Sequence, residues 1–366
     1  MQADGGEEGR GRRYADAVLL RRLRQYAFRN LVVPEVAFGP GVTAIVGPNA
    51  AGKSNLLIAC YLAASAELPA GPVRDALRFG ESEGFVAAEI ENRHGPVQVH
   101  VGLATGRKVL RIDGQAARAA DVARIAAAVR ITPEDAALIH GGPTGRRGWM
   151  DALLTRLSPR YGAVARAYGK VLEQRNAALR HGSDRATVAA FGDRLAELGD
   201  EVVDLRRRLI VRAGDLAADA YRDVAGPAKE FTIRYAPAQG ERPLAEALVA
   251  SEPEERARGL TVVGPHRDDL VADLDARSVQ TYGSRGEART AALALRVAEH
   301  RLLRDVHDEP PILLLDDFSA ELDADRRAYL LDLAESVPQA LVTGTEPPPR
   351  ASRRLRIAGG ELRDDG

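Results

Sequence analysis

The hydrophobic rhythm of the chain changes twice. From Val18 to Phe38 apolar and polar residues alternate, which predicts short strands with one face on a core. Pro40-Gly41 then turns the chain into Val42–Val46, an apolar run rich in β-branched residues, and Asn55–Leu62 continues at helical spacing. Further β-like runs cover Gly84–Ile90, Val97–Val101 and Val109–Ile112, the last closed by the hairpin turn Asp113-Gly114. In the middle the period lengthens to three and four: Leu157, Tyr161, Val164, Tyr168 and Val171. Beyond the turn-like Arg180–Asp184 it resumes with Phe191, Leu195, Leu198, Val202, Leu205 and Leu209. Two such stripes around a short turn predict an antiparallel helical pair, each helix roughly 25 to 30 residues long. Gly192 and Gly199 weaken the second helix by roughly 1 kcal/mol each, so packing must hold it. After Gly226-Pro227 strand signals return at Phe231–Tyr235. A polar helical stretch, a helix from about Arg289 to Arg304 and the apolar Pro311–Leu315 follow.

This order predicts an α/β fold, a mixed sheet with helices, built from residues 17–140 and 226–366. A short antiparallel helical arm is inserted at 141–225, its boundary reaching to about 260. Residues 1–16, rich in glycine and charge without periodicity, are expected to be a disordered tail.

Composition adds a core and a compartment. The 366 residues suit two domains, or one with an insertion, and at 45% hydrophobic they can bury a sizeable interior. Cys60 is the only cysteine, which excludes a disulfide framework and a Cys-based zinc site and points to a reducing compartment. With no apolar run of about 18 residues and no cleavable leader, a soluble cytoplasmic protein is expected. The net charge of −1 conceals an asymmetry: +2 over residues 1–136, +6 over 137–212 and −9 over 213–366. A basic middle suits contact with a phosphate backbone, and equally a solvated helical face.

The chemistry concentrates in three places. Gly47–Ser54 reads Gly-Pro-Asn-Ala-Ala-Gly-Lys-Ser, a full Gly-x-x-x-x-Gly-Lys-Ser/Thr phosphate loop. Gly47 and Gly52 permit the tight turn, and Pro48, Asn49, Ala50 and Ala51 form the loop between them. Lys53 can reach the β- and γ-phosphates, and the Ser54 hydroxyl can ligate Mg²⁺. Asp316, at the end of an apolar strand, is the second expected Mg²⁺ ligand, and Asp317 is placed to orient or deprotonate the attacking water. Ser284-Arg-Gly-Glu287 lies directly before a helix, so its hydroxyl, its N–H groups and the helix dipole can receive an anion. A nucleotide cradled at residues 47–54 leaves such a second cradle for the γ-phosphate of a nucleotide on another copy. His266 has no partners at metal spacing and is not a ligand candidate.

The order of these parts resembles the ATP-binding-cassette ATPases of the SMC and RecF type, and Leu315–Asp323 matches their run from Walker B into the D-loop in length. Within that group the chain resembles the RecF family. The resemblance rests on Phe28-Arg-Asn30, Ile131–Asp135, Pro143 with Arg146 and Arg147, Tyr161, Gln174-Arg-Asn176, Gly264–Asp269 and Ser284-x-Gly286. It implies ATP and Mg²⁺ as cofactors, and adds Arg29 and Asn55 to the nucleotide contacts. It further implies slow hydrolysis and a homodimer closed by ATP, with Lys53 and Asp316 of one copy facing Ser284 and Gly286 of the other, and Glu287 among the nucleotide-binding residues. The family works on gapped DNA with RecR and RecO to load RecA, and the basic candidates for DNA contact are Arg146, Arg147 and Arg206-Arg207-Arg208. Two positions depart from the wider cassette pattern. Asp317 stands where most cassettes place Glu, and Thr343 or Thr345 stands at the switch His position, able to hydrogen-bond a γ-phosphate without cationic charge. Pro133–Asp135 stands near the place of the Q-loop. His266–Asp269 reads either as a structural turn or as a sensor of nucleotide state. The other classes to weigh are a P-loop kinase or phosphotransferase and an SMC-like scaffold ATPase.

Overall fold

The computed structural model describes residues 17–68, 71–318 and 323–365. The tail expected at 1–16 and residues 319–322 of the D-loop run lie outside them. The chain forms two compact units, one from residues 1–134 and 299–366 and the other from 135–298. Ser284–Glu287, assigned from sequence to the ATPase lobe, therefore falls in the second unit.

The first unit starts with β1 (Leu19–Tyr26), β2 (Glu35–Ala37), β3 (Gly41–Val46) and helix α1 (Lys53–Ser65). It continues through β4 (Glu83–Asn92), β5 (Gly95–Ala104), β6 (Arg107–Ile112), β7 (Gln115–Ala117) and β8 (Ala128–Ile131). In the second unit helices α2 (Pro143–Leu157), α3 (Pro159–Arg180) and α4 (Arg185–Ala225) precede β9 (Phe231–Ala236) and α5 (Leu244–Arg258). Strands β10 (Asp269–Leu274) and β11 (Arg277–Ser278) follow, and α6 (Arg285–His307) carries the chain back. The first unit is completed by β12 (Ile312–Leu315), α7 (Ala324–Ser336), β13 (Gln339–Gly344), β14 (Arg353–Ala358) and β15 (Glu361–Asp364).

Two six-stranded sheets make up the first unit. One is antiparallel, in the order β2-β1-β4-β5-β6-β7; the other runs β15-β14-β3-β13-β12-β8, parallel except for β15 at its edge. The parallel strands explain the unbroken apolar runs: β12 and β13 are buried at every position, because a central parallel strand is covered on both faces. Helix α1 is likewise buried from Leu56 to Ser65. It packs Leu56, Leu57 and Leu62 into one core with Leu20, Val86 and Ile90 of the antiparallel sheet and Ile45, Leu314 and Leu341 of the parallel sheet. Each such leucine contributes about 1.5–3 kcal/mol by leaving water. The start of α1, and hence the phosphate loop, is fixed by a core that grips the helix from both sides. Cys60 sits inside this core, where burial pushes its thiol pKa up and leaves it inert.

The helical pair is present but unequal. Helix α3 has 22 residues and α4 has 41, joined by the turn at 181–184 with Asp184 capping α4 through the Thr187 N–H. The sequence stripe fades after Leu209 because the buried positions become alanines, Ala213, Ala217 and Ala220, whose weak hydrophobicity hides the period. Gly199 has a packing reason: a Cβ there would lie 2.3 Å from the Leu244 side chain of α5. Strands β11, β10 and β9 form a small antiparallel sheet in the same unit.

Candidate functional site

Three neighbouring parallel strands bring the first unit's chemistry to one edge. Strand β3 leads into the phosphate loop, β13 ends at Thr343-Gly344 and β12 leads directly into Asp316, with β13 between the other two. Ligands of open α/β sheets bind at this carboxyl edge. Gly47 is dictated by contact, since a Cβ there would lie 2.1 Å from the Ile357 carbonyl oxygen. Gly52 is dictated by its φ of 108°, and it directly precedes α1, so the loop closes over a helix N-terminus. Pro48, Asn49 and Ala50 form the exposed tip, and Ala51 is buried beneath it.

The Lys53 ammonium folds back over this loop, donating to the carbonyls of Gly47 at 2.9 Å and Pro48 at 3.0 Å. Asp316 is the hub of the opposite wall. Its Oδ1 accepts from Ser54 Oγ at 2.9 Å and from Thr343 Oγ1 at 2.8 Å, and its Oδ2 lies 3.4 Å from Arg130 Nη1. Thr343, which with Thr345 is a candidate γ-phosphate contact, is fully buried; its hydroxyl donates to Asp316 and accepts the Asp317 N–H at 2.8 Å. Asp317 is half-buried and held at a φ of 50°, a left-handed conformation that non-glycine residues keep only where the surroundings enforce it.

Arg29 and Asn55 are joined at the other side of the loop. Arg29 Nη1 donates to Asn55 Oδ1 at 2.9 Å, Asn55 donates to Asn30 at 2.7 Å, and Asn30 reaches the Ala50 carbonyl at 3.3 Å. Arg29 Nε is buried without a hydrogen-bond partner, and burial together with nearby Arg130 lowers the guanidinium pKa. A buried donor with no acceptor, beside a second cation and a lysine satisfied only by neutral carbonyls, suits a polyanion such as a triphosphate. Ser54 and Asp316 offer two hard oxygens at hydrogen-bonding distance, a donor set that suits Mg²⁺. Sequence reasoning missed Arg130 and Asn30 as site residues. No motif marks Arg130, which belongs to the site only because β8 lies beside β12.

In the second unit, Ser284 and Glu287 close a reciprocal cap. The Ser284 N–H donates to Glu287 Oε2 at 2.8 Å, and the Glu287 N–H donates to Ser284 Oγ at 3.2 Å. Helix α6 therefore starts at Arg285, earlier than the expected Arg289, and Gly286 lies in its first turn. Lys229 also pairs with Glu287, and these partners, Lys229 first, hold the carboxyl pKa down to about 2. Asp135, near the expected Q-loop place, is bound by Arg296 of α6 at 2.7 Å.

Two of the five arginines expected to face DNA are not available to it. Arg146 is 4% exposed and chelates Asp269 through Nε at 2.6 Å and Nη2 at 2.8 Å, while Nη1 serves the carbonyls of Leu138, Ile139 and Gly141. Arg206 is 3% exposed and bound to Asp151 at 2.7 Å, the Pro265 carbonyl at 2.7 Å and Asp268 at 3.5 Å. Both guanidiniums are themselves buried, and Arg206 also neutralises the fully buried Asp268, so leaving these partners would strand charge in the interior. Arg147 is half-buried and donates to the Asp268 carbonyl at 2.8 Å. Arg207 and Arg208 keep much of their side chains in solvent. The His266–Asp269 segment belongs to this same network. Asp268 also accepts from the Tyr235 hydroxyl and the Ala238 N–H, and His266 bonds Tyr168 at 2.7 Å and the Thr261 carbonyl at 3.1 Å. Gln174-Arg-Asn176 contributes Arg175, buried against Glu255 at 2.7 Å, and Asn176, which takes both the N–H and the hydroxyl of Thr261. The motifs of the second unit thus build its polar interior.

Among the described residues, no helix is long and apolar enough to cross a membrane. A family model described as the RecF/RecN/SMC N terminal domain matches residues 19–348. A DNA replication and repair protein RecF from Deinococcus radiodurans is 45% identical over 345 residues, 94% of this chain and 95% of that protein. A solved structure of the recombination mediator protein RecF with ATP, in the RecFOR pathway, has a TM-score of 0.89 at 26% identity, covering 96% of this chain and 98% of that one. An Smc head domain from Pyrococcus furiosus shares the fold alone, at 15% identity and a TM-score of 0.52. Because the similarity runs from β1 beyond β13, through loop, acids and inserted helices alike, the chain belongs to the RecF family of DNA replication and repair proteins.

Proposed function

We propose that this chain is an ATP-dependent DNA-binding recombination mediator that hydrolyses ATP slowly and uses it as a switch. The convergence of Lys53, Ser54, Asp316 and Thr343 at one sheet edge carries this reading, since it supplies a cation for phosphates and two oxygens for Mg²⁺. Bound Mg²⁺ would neutralise charge on the β- and γ-phosphates. Lys53 and the loop N–H groups hold the triphosphate, Arg29 and Asn55 border it, and Arg130 and Thr343 keep Asp316 aimed. Asp317 orients the attacking water, and its side chain, shorter than a glutamate, makes hydrolysis slow. Ser284 and Gly286 of a second copy complete the γ-phosphate site, with Glu287 holding their turn in shape, so that ATP closes a homodimer. The closed dimer grips gapped DNA, to which Arg147, Arg207 and Arg208 contribute positive charge, and acts with RecR and RecO in loading RecA.

Sedimentation with and without ATP tests this directly. The protein is expected to be monomeric alone and dimeric with ATP, and Ser284→Arg to abolish the dimer while sparing nucleotide binding. Retained dimerisation in that variant counts against the reading. ATP should also raise affinity for gapped over intact duplex at fixed salt, more so with RecR present; no effect of ATP on DNA affinity removes the clamp.

A further inference from the structure

The outer face of the antiparallel sheet carries side chains that neither the core nor the nucleotide loop uses. Alternation along β1, β4 and β5 turns Tyr26, Phe85 and His100 away from α1. Strand register sets Tyr26 opposite Phe85 and His100 opposite Ala87, so the rings step diagonally across three strands. The Tyr26 and Phe85 rings are stacked with centroids 6.3 Å apart and planes 26° apart; Phe85 and His100 follow at 5.2 Å and 27°. Tyr26, at one end of this ladder, is 55% exposed, unusual for an aromatic ring with no core contact to make.

Charges of both signs border the ladder: Glu83 lies two residues from Phe85 on the same face of β4, and Glu35 lies opposite Arg24 in the register of β1 and β2. Arg24 and Arg111 lie in the cross-strand row of His100, and Arg107 lies on the same face of β6. All three are exposed, and none forms an ion pair with a described residue. Arg21 and Arg22 are neutralised by Glu91 and Glu35, so Glu35 is already engaged by Arg22. Burial, then Arg111 and Arg24, lower the His100 pKa, which leaves this ring neutral and flat among the cations.

We propose that this face binds single-stranded nucleic acid, with unpaired bases adding to the stack of Tyr26, Phe85 and His100 while Arg24, Arg107 and Arg111 take the phosphates. The chemistry selects its occupant. Three exposed arginines outside any ion pair among the described residues favour a polyanion over an apolar peptide, and the exposed Tyr26 ring favours bases that are themselves unstacked. A duplex hides its base faces and offers only edges, so it can use the arginines but not the ladder. The inference rests on the DNA-binding part of the function proposed above, yet it needs neither nucleotide nor a second copy.

Fluorescence anisotropy of the full-length chain without ATP tests it, using labelled oligothymidylate and an abasic deoxyribose-phosphate oligomer of the same length. Wild type should bind oligothymidylate more tightly. Tyr26→Ala/Phe85→Ala should weaken oligothymidylate about ten-fold or more and leave the abasic oligomer unchanged, whereas Phe85→Tyr retains affinity. Arg24→Ala/Arg111→Ala should weaken both oligomers and flatten the salt dependence. Should the double aromatic variant fail to fold, the exposed Tyr26→Ala alone carries the comparison. Equal wild-type affinity for the two oligomers, or unchanged oligothymidylate binding in a folded aromatic variant, overturns the proposal. ATP-dependent duplex binding by the same variants separates the two readings, because losing the platform leaves that dependence intact.

Discussion

Ser54 and Asp316 stand 262 residues apart in the chain and 2.9 Å apart in space, hydroxyl to carboxylate. The bond joins the first turn of α1 to the end of β12, and Thr343 holds the same carboxylate oxygen from the strand between. Two oxygens suited to one divalent ion are thereby set in place by the parallel sheet.

Asp316→Asn is predicted to lower ATP turnover at least about 100-fold, because the electrostatic contribution of a metal-holding acid is of that order or larger. Phosphate release measures turnover, and nucleotide binding in EDTA should change little. Near-wild-type hydrolysis would falsify the role given to Asp316.

Lys53→Arg should largely stop hydrolysis. The bulkier planar guanidinium cannot occupy the space in which Lys53 Nζ reaches the Gly47 and Pro48 carbonyls. Retention of wild-type turnover removes Lys53 from the chemistry.

Thr343→Val keeps the volume but removes the donor to Asp316 and the acceptor for the Asp317 N–H. Leaving that N–H unsatisfied costs about 1–3 kcal/mol. The expected result is reduced turnover together with a lower urea midpoint. A variant with unchanged stability and hydrolysis contradicts the geometry.

The arginines separate by environment. Arg206→Ala leaves the fully buried Asp268 carboxylate without its cation, which is predicted to cost about 3–5 kcal/mol of stability. Arg146→Ala takes the donor from three carbonyls and from the partly exposed Asp269, at a cost of about 1–3 kcal/mol. Arg207→Ala/Arg208→Ala should leave stability nearly unchanged and reduce the salt slope of DNA binding. Thermal melts and binding titrations over salt distinguish them; a stable Arg206→Ala protein with weakened DNA binding reverses the assignment.

His300 gives the fold an acid sensitivity. It is 4% exposed with Nε2 unpartnered, and burial lowers its pKa to about 4. The unfolded chain takes up this proton near pH 6.5 and the folded chain only near pH 4. The stabilisation is therefore complete above about pH 6.5 and is lost as pH falls toward 4, by about 3 kcal/mol in all. Denaturant titrations at several pH values should show that slope, and His300→Gln should flatten it in this window.

The sequence alone determined the phosphate loop, the strand–loop–helix unit around it, the acids after β12 and the helical pair. Each is a local feature: a motif within eight residues, an unbroken apolar run, or a period of three and four. The helix at Ser284 was legible as a helix start, but its true beginning was hidden, because only the folded backbone shows Glu287 returning to cap Ser284. Tertiary structure decided what residues distant in sequence do together. It placed Arg130 beside Asp316 through strand order, joined Thr343 to the same carboxylate, and withdrew Arg146 and Arg206 from the surface. The physical reason is that a charge is read from sequence without its partner. An arginine looks free until folding buries it and brings Asp269 or Asp151 within 3 Å, and the charge-assisted bonds then hold it away from solvent.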